Sequence, residues 1–96
     1  MAMKSKKTAK NVCVEVPLAD GCLSMHVGRL VQRDDKRIVL VDAAWVACTG
    51  RRNVFFAGKF DSGCEVEPLP DGVQIELPAD RAIITDWPHD LLCSVR

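Results

Sequence analysis

Tyrosine is absent from the 96-residue chain, and three phenylalanines and two tryptophans are its only aromatic residues. The aromatic-rich stacking surface of many RNA-binding sheets is therefore missing. No apolar run approaches the roughly 18 residues of a membrane span; Ile38–Val41 stops at Asp42. The first residues include lysines, but Glu15 and Pro17 interrupt the apolar stretch that a signal peptide needs. Neither secretion nor membrane insertion is expected. The five cysteines, Cys13, Cys22, Cys48, Cys64 and Cys93, show neither C-x2-C nor C-x4-C spacing, and His26 and His89 stand alone. Such spacing excludes a structural zinc site, and an odd count predicts free thiols in a reducing compartment. The apolar neighbours of Cys13, Cys48 and Cys93 predict small core residues. His89-Asp90 lacks a third triad member, and Leu91-Leu92 before Cys93 point to burial rather than a poised thiolate. The expectation is a protein that is no enzyme and holds no cofactor.

What is present is an uneven charge distribution. Thirteen basic and thirteen acidic residues cancel. Yet residues 1–59 hold 11 Lys/Arg against 5 Asp/Glu, a charge of +6, and residues 60–96 hold 2 against 8, a charge of −6. Such asymmetry speaks about association, within one chain or between copies, and not about fold. Residues 1–11, with four lysines and no acid, read as a basic tail. Residues 12–96 read as a single β-rich domain.

Alternating Val12, Val14 and Val16 predict a strand that Pro17 confines to an edge or bulge. Leu23, Met25 and Val27 predict a second strand, with a β-bulge at Gly28 leaving Leu30 and Val31 ambiguous. Asp34-Asp35-Lys36 closes a hairpin with Arg37–Val41, whose apolar run predicts cover on both faces, by strands or by another subunit. Residues 43–48 fit strand or helix. Thr49 is a credible cap for a short helix that ends at Gly58 and is anchored by Phe55 and Phe56. Beyond it, Glu65–Glu67 and Val73–Leu77 flank Pro70-Asp71-Gly72, which fits a type I turn with a left-handed glycine as a three-residue hairpin loop. Ala82–Thr85 and Leu91–Val95 add further strands, and Trp87-Pro88 forms an apolar corner. The fold class is mainly β: a small antiparallel sheet or partly open barrel with one short helix near residues 50–58.

Leu40-Val41-Asp42-Ala43, then Trp45, Thr49-Gly50 and Ala57-Gly58, form a recognisable succession. It is similar to small phage and prophage proteins of unknown function that run L-x-[ND]-A, an aromatic, [ST]-G and a short helix ending at glycine. In those proteins too the motif follows a glycine-containing strand and hairpin, here Gly28 through Leu40. The resemblance covers residues 25–60, about a third of the chain, without the aromatic-rich run that usually precedes [ST]-G. It implies a phage-type accessory protein acting in the cytoplasm of a bacterial host cell, and it transfers no functional residues.

The strongest local anomaly is Thr49-Gly50-Arg51-Arg52-Asn53. Two arginines in a first helical turn oppose the macrodipole, at a few tenths to about 1 kcal/mol each, unless an anion lies nearby. Guanidiniums beside free backbone N–H groups make a phosphate or carboxylate receptor. Trp45 can offer a face to a base, and Arg29 and Arg33 can arrive from the hairpin. The competing reading leaves Arg51 and Arg52 solvated or pairs them with Asp61, Glu65 or Glu67. A second feature is the acidic set Glu65, Glu67 and Glu76, with Asp71 and Asp80, which protects a sheet edge or mimics nucleic-acid phosphates. The lysines and arginines can also neutralise nucleic acid, against which stands a pI of about 6.7.

The functional expectation is a non-enzymatic binding protein that occupies or sequesters a host defence component, through an anionic, nucleotide-like ligand or a host protein. The alternatives are a virion or assembly component and a small nucleic-acid-binding barrel. A homo-oligomer is expected in either of the first two cases, through the strand Ile38–Val41.

Overall fold

A computed structural model describes residues 10–92 of the chain. Six antiparallel strands form one open sheet: β1 (Asn11–Pro17), β2 (Leu23–Arg33), β3 (Arg37–Thr49), β4 (Cys64–Pro68), β5 (Gln74–Pro78) and β6 (Ile83–Asp86). One short helix, α1 (Arg52–Phe56), and a 3-10 turn at Ala79–Arg81 interrupt them. Strand order is β4-β3-β2-β1-β6, with β5 also on β3. The thirteen-residue β3 organises this arrangement. Its first half, Arg37–Val41, pairs with β5, and its second half, Ala44–Thr49, pairs with β4.

The sheet carries a core on each face because successive strand residues point to opposite sides. Cys13, Met25, Val27, Ala44, Val46, Cys64 and Val66 meet Phe55, Trp87 and Leu92 on one face. Val12, Val14, Val16, Leu30, Ile38 and Leu40 build the other, joined by Ile75 and Leu77 of β5 and Ile84 of β6. Both outer strands of β5-β3-β2-β1-β6 thus contribute to one core, so these five strands curl around it. The turn at Ala79–Arg81 joins β5 to β6, which do not pair with each other. Of the two forms expected, the small antiparallel sheet is the one observed.

Three register shifts give β3 its bend. Val27 pairs with Ala44 and Arg29 with Val41, so Gly28 alone faces Asp42 and Ala43. The bulge foreseen at Gly28 exists, with the extra residue on β3. Asp42 takes it up in the left-handed region at φ 51°, which aspartate tolerates better than most residues. A second shift leaves Val31 unpaired and exposed while Leu30 is buried. A third, at Ala47, separates Val46↔Val66 from Cys48↔Glu65. A Cβ at Gly28 would lie 2.9 Å from Ala43 Cβ and 3.1 Å from Ala43 Cα. Gly28→Ala is therefore expected to destabilise by about 1–3 kcal/mol, seen as a lower urea midpoint at unchanged slope.

Several expectations need correction. Lys10 and Asn11, assigned to the tail, belong to the fold: Asn11 opens β1, and Lys10 pairs with Asp86 at 2.9 Å. Residues 1–9 of that tail lie outside the described residues. Residues 43–48 are strand. Ile38, Val39 and Leu40 are fully or nearly fully buried within the one chain, so their apolarity gives no reason for a second subunit. Cys13 and Cys64 are buried, whereas Cys22 and Cys48 are exposed; Cys93 lies outside the described residues. Leu91 and Leu92 form no strand; Leu92 is buried in the core beneath α1, and the rest of that segment lies outside the described residues.

Candidate functional site

Thr49 ends β3, and its hydroxyl donates to the Gly50 carbonyl at 2.8 Å, so it does not cap the helix. Gly50 turns the chain in the left-handed region at φ 69°. Arg51 is the N-cap residue, with extended backbone and no side-chain cap. The Arg51 N–H donates to Asp61 Oδ2 at 3.0 Å, and the Gly63 N–H donates to Oδ1 of the same carboxylate at 2.9 Å. These two donors hold the Asp61 carboxyl below its ordinary range. An internal carboxylate thus meets the amide end at which an external anion was expected. A Cβ on Gly50 would overlap Asp61 Oδ1, and the positive φ adds strain. Gly50→Ala is accordingly expected to lower the thermal midpoint.

Arg52 points the other way, onto the sheet. Its Nη1 and Nη2 donate to Glu15 Oε2 and Oε1 at 3.0 and 3.1 Å, a bidentate pair. Glu15 is 3% exposed and occupies a position of β1 on the same side as Cys13. The guanidinium also lies 5.2 Å from the Phe56 ring centroid. Glu15 hydrogen bonding raises the Arg52 pKa further. Burial, with help from Glu15, pushes the neighbouring Cys13 thiol up to about 12, so it stays protonated and inert. Neither Glu65 nor Glu67 pairs with these arginines, and Asp61 meets Arg51 only through its backbone.

The remaining candidates lie elsewhere. Arg29 pairs with Asp42 of the β3 bulge, its Nη2 at 2.6 Å from Oδ2. Arg33 is exposed at the far end of β2 and makes no ion pair with the described residues. Trp45 sits between Ala44 and Val46, which pack under α1, and so projects from the opposite face of the sheet. The structure therefore does not bring Thr49, Gly50, Arg51, Arg52, Asn53, Trp45, Arg29 and Arg33 into one pocket. The acidic set divides as well. Glu76 stands opposite Val39 and pairs with Arg37 at 3.3 Å. Glu65 and Glu67 project from the Trp45 face, because Cys64 and Val66 fill the core beneath α1.

Around Trp45 the register assembles a surface that sequence reading left scattered. Ile84, Val14, His26, Trp45 and Glu67 form one cross-strand row over β6, β1, β2, β3 and β4. Strand β5 reaches only Arg37–Val41 and leaves the β2-β3-β4 end of this row uncovered. Trp45 is 44% exposed, whereas Trp87 is buried. Directly opposed cross-strand residues have Cβ atoms about 4.5–5.5 Å apart, so His26 and Glu67 flank the indole. His26 Nδ1 is buried without a hydrogen-bond partner among the described residues. Burial lowers the His26 pKa from 6.5. The unfolded chain therefore takes up this proton first as pH falls, and stability is lost from about pH 6.5 down to the lower folded value. His26→Gln is expected to flatten that part of a stability–pH curve measured by urea unfolding. Asp34 and Asp61, whose carboxyls backbone N–H groups hold low, lose their contributions only below about pH 4.

Among the described residues no group of three or more His, Cys, Asp or Glu is placed to hold a metal ion. Among the described residues no helix is long and apolar enough to cross a membrane. No family model, curated protein or solved structure matches the chain.

Proposed function

We propose that this chain is a non-enzymatic binding protein of phage type, which occupies a host component, a defence component in the most concrete version, through the Trp45 face of its sheet. The observation that carries this reading is the half-exposed indole on the part of this sheet face that β5 does not reach. A tryptophan there exposes a large apolar area that contact with a partner would bury, and tryptophan is enriched among the residues that dominate binding energy. The protein-directed version is preferred to a nucleotide-like ligand because Arg51 and Arg52 lie across the sheet from Trp45. Arg52 is also committed to Glu15. The phage assignment leans on the resemblance of residues 25–60, and a cytoplasmic site of action goes with it. The protein is further proposed to self-associate: among the described residues β4, β5 and β6 each pair along one edge only.

The test is co-purification from bacterial cells expressing the tagged chain, with mass spectrometry of what is retained and light scattering for mass. A bacterial protein retained by the intact chain and lost with Trp45→Ala supports the reading. A nucleotide-like molecule retained regardless of Trp45 overturns the protein-directed version. A strictly monomeric mass at high micromolar concentration overturns self-association.

A further inference from the structure

We propose that the Trp45 face accepts a lysine-bearing segment, and that the basic N-terminal stretch of a second copy of this chain supplies it. This inference rests on the reading of the Trp45 face as the contact surface. The three strand stretches that build the face, Leu23–Val27, Ala44–Thr49 and Cys64–Pro68, contain no lysine or arginine. The charges they present are Glu65 and Glu67, on the same side as the indole, and neither forms an ion pair with the described residues. An exposed indole bordered by carboxylates suits an ammonium group, which gains from the ring face and from the acid together.

The chain carries the complementary segment. Lys4, Lys6, Lys7 and Lys10 fall within ten residues that contain no acid. The segment belongs to the half of charge +6 and the face to strands on either side of the divide, with both glutamates in the half of charge −6. A second copy is favoured by where the segment enters the fold. Lys10 pairs with Asp86 of β6, and its carbonyl accepts from the Leu30 N–H. The Trp45 row crosses β1 at Val14, so Lys10 joins the fold four residues along β1 from that row and two strands across from Trp45. Segment and face are different surfaces, so the contact is head-to-tail and either closes into a ring or continues.

Two charge variants of the full chain test this by complementation. Lys4→Gln/Lys6→Gln/Lys7→Gln neutralises the segment and keeps the face; Glu65→Gln/Glu67→Gln does the reverse. Each lost contact should weaken association about two- to fivefold. Sedimentation should show the intact chain associating in a salt-sensitive way and each variant alone shifted to monomer. An equimolar mixture should recover dimers, because one intact segment then meets one intact face. Variants that associate as the intact chain does, or an intact chain that stays monomeric, overturn the inference. If those variants behave as intact while Trp45→Ala still abolishes co-purification, only self-docking fails. If Trp45→Ala also has no effect, the reading of the face fails with it.

Discussion

Replacing Arg52 with alanine is expected to lower stability by about 2–3 kcal/mol, or roughly 10–20 °C in thermal midpoint for a chain of this size. The mechanism is the stranding of Glu15. Its side chain is 4% exposed, whereas that of Arg52 is 55% exposed. Removing the guanidinium leaves a carboxylate inside the fold without its bidentate partner, and that costs more than the pair itself contributes. The solvent-facing side of Arg52 places the loss below the 3–5 kcal/mol typical of fully buried pairs. The loss of the Phe56 contact adds a smaller amount. Glu15→Gln combined with Arg52→Ala should recover part of the loss, because a neutral amide is less costly to bury. Thermal unfolding of the intact chain and these two variants checks this. An unchanged midpoint for Arg52→Ala would restore Arg52 as a candidate for ligand binding.

Replacing Trp45 with alanine is expected to do the opposite: a large loss of binding at nearly unchanged stability. A central tryptophan at a protein contact commonly contributes 2 kcal/mol or more, which is about thirtyfold or more in affinity. Its contribution to folding is smaller because almost half of its surface already faces solvent. Cross-strand packing beside His26 and Glu67 limits the expected destabilisation to about 1 kcal/mol or less. Trp45 and Arg52 are seven positions apart in sequence, yet the two substitutions are expected to separate binding from stability.

Much of the fold was legible because strand alternation reports directly on burial. Val12, Val14 and Val16, the hairpin around Asp34 and the Phe55 anchor all follow from local pattern and turn chemistry. The hairpin expected at Pro70-Asp71-Gly72 does not form, because β4 and β5 pair with successive halves of β3 instead of with each other. The register was not legible. Three bulges shift β3 against its neighbours, and each inserted residue reverses which side chains face which way. That is why Glu65 and Glu67 could be grouped with Glu76, although they project from opposite faces. The unresolved choice over residues 43–48 had the same origin, since Ala43-Ala44-Trp45-Val46 crosses the bulge that moves the chain from one core to the other.

The candidate site was half legible. The cations at the start of α1 call for an anion, and pairing within the chain is one of the two answers that the sequence offers. The partner itself was not legible, because Glu15 lies 37 residues away in sequence. A signal existed: Glu15 shares the side of β1 that buries Cys13, and an acid in such a position needs a cation. Asp61 was foreseen as an acid near the arginines, but its role in accepting from the Arg51 and Gly63 amides depends on a loop geometry that no periodicity encodes. His26 and Glu67 became neighbours of Trp45 only through pairing across three strands.

The binding face proposed at Trp45 is distinct from the structural cluster at α1, and one comparison tests that division directly. The amount of bacterial protein co-purified with the tagged chain should be measured for Trp45→Ala and for Arg51→Ala, the latter chosen because its side chain supports no contact described above. Loss is expected with Trp45→Ala and retention with Arg51→Ala, both at near-intact thermal midpoints. Retention with Trp45→Ala and loss with Arg51→Ala would contradict that division and return the site to the start of the helix.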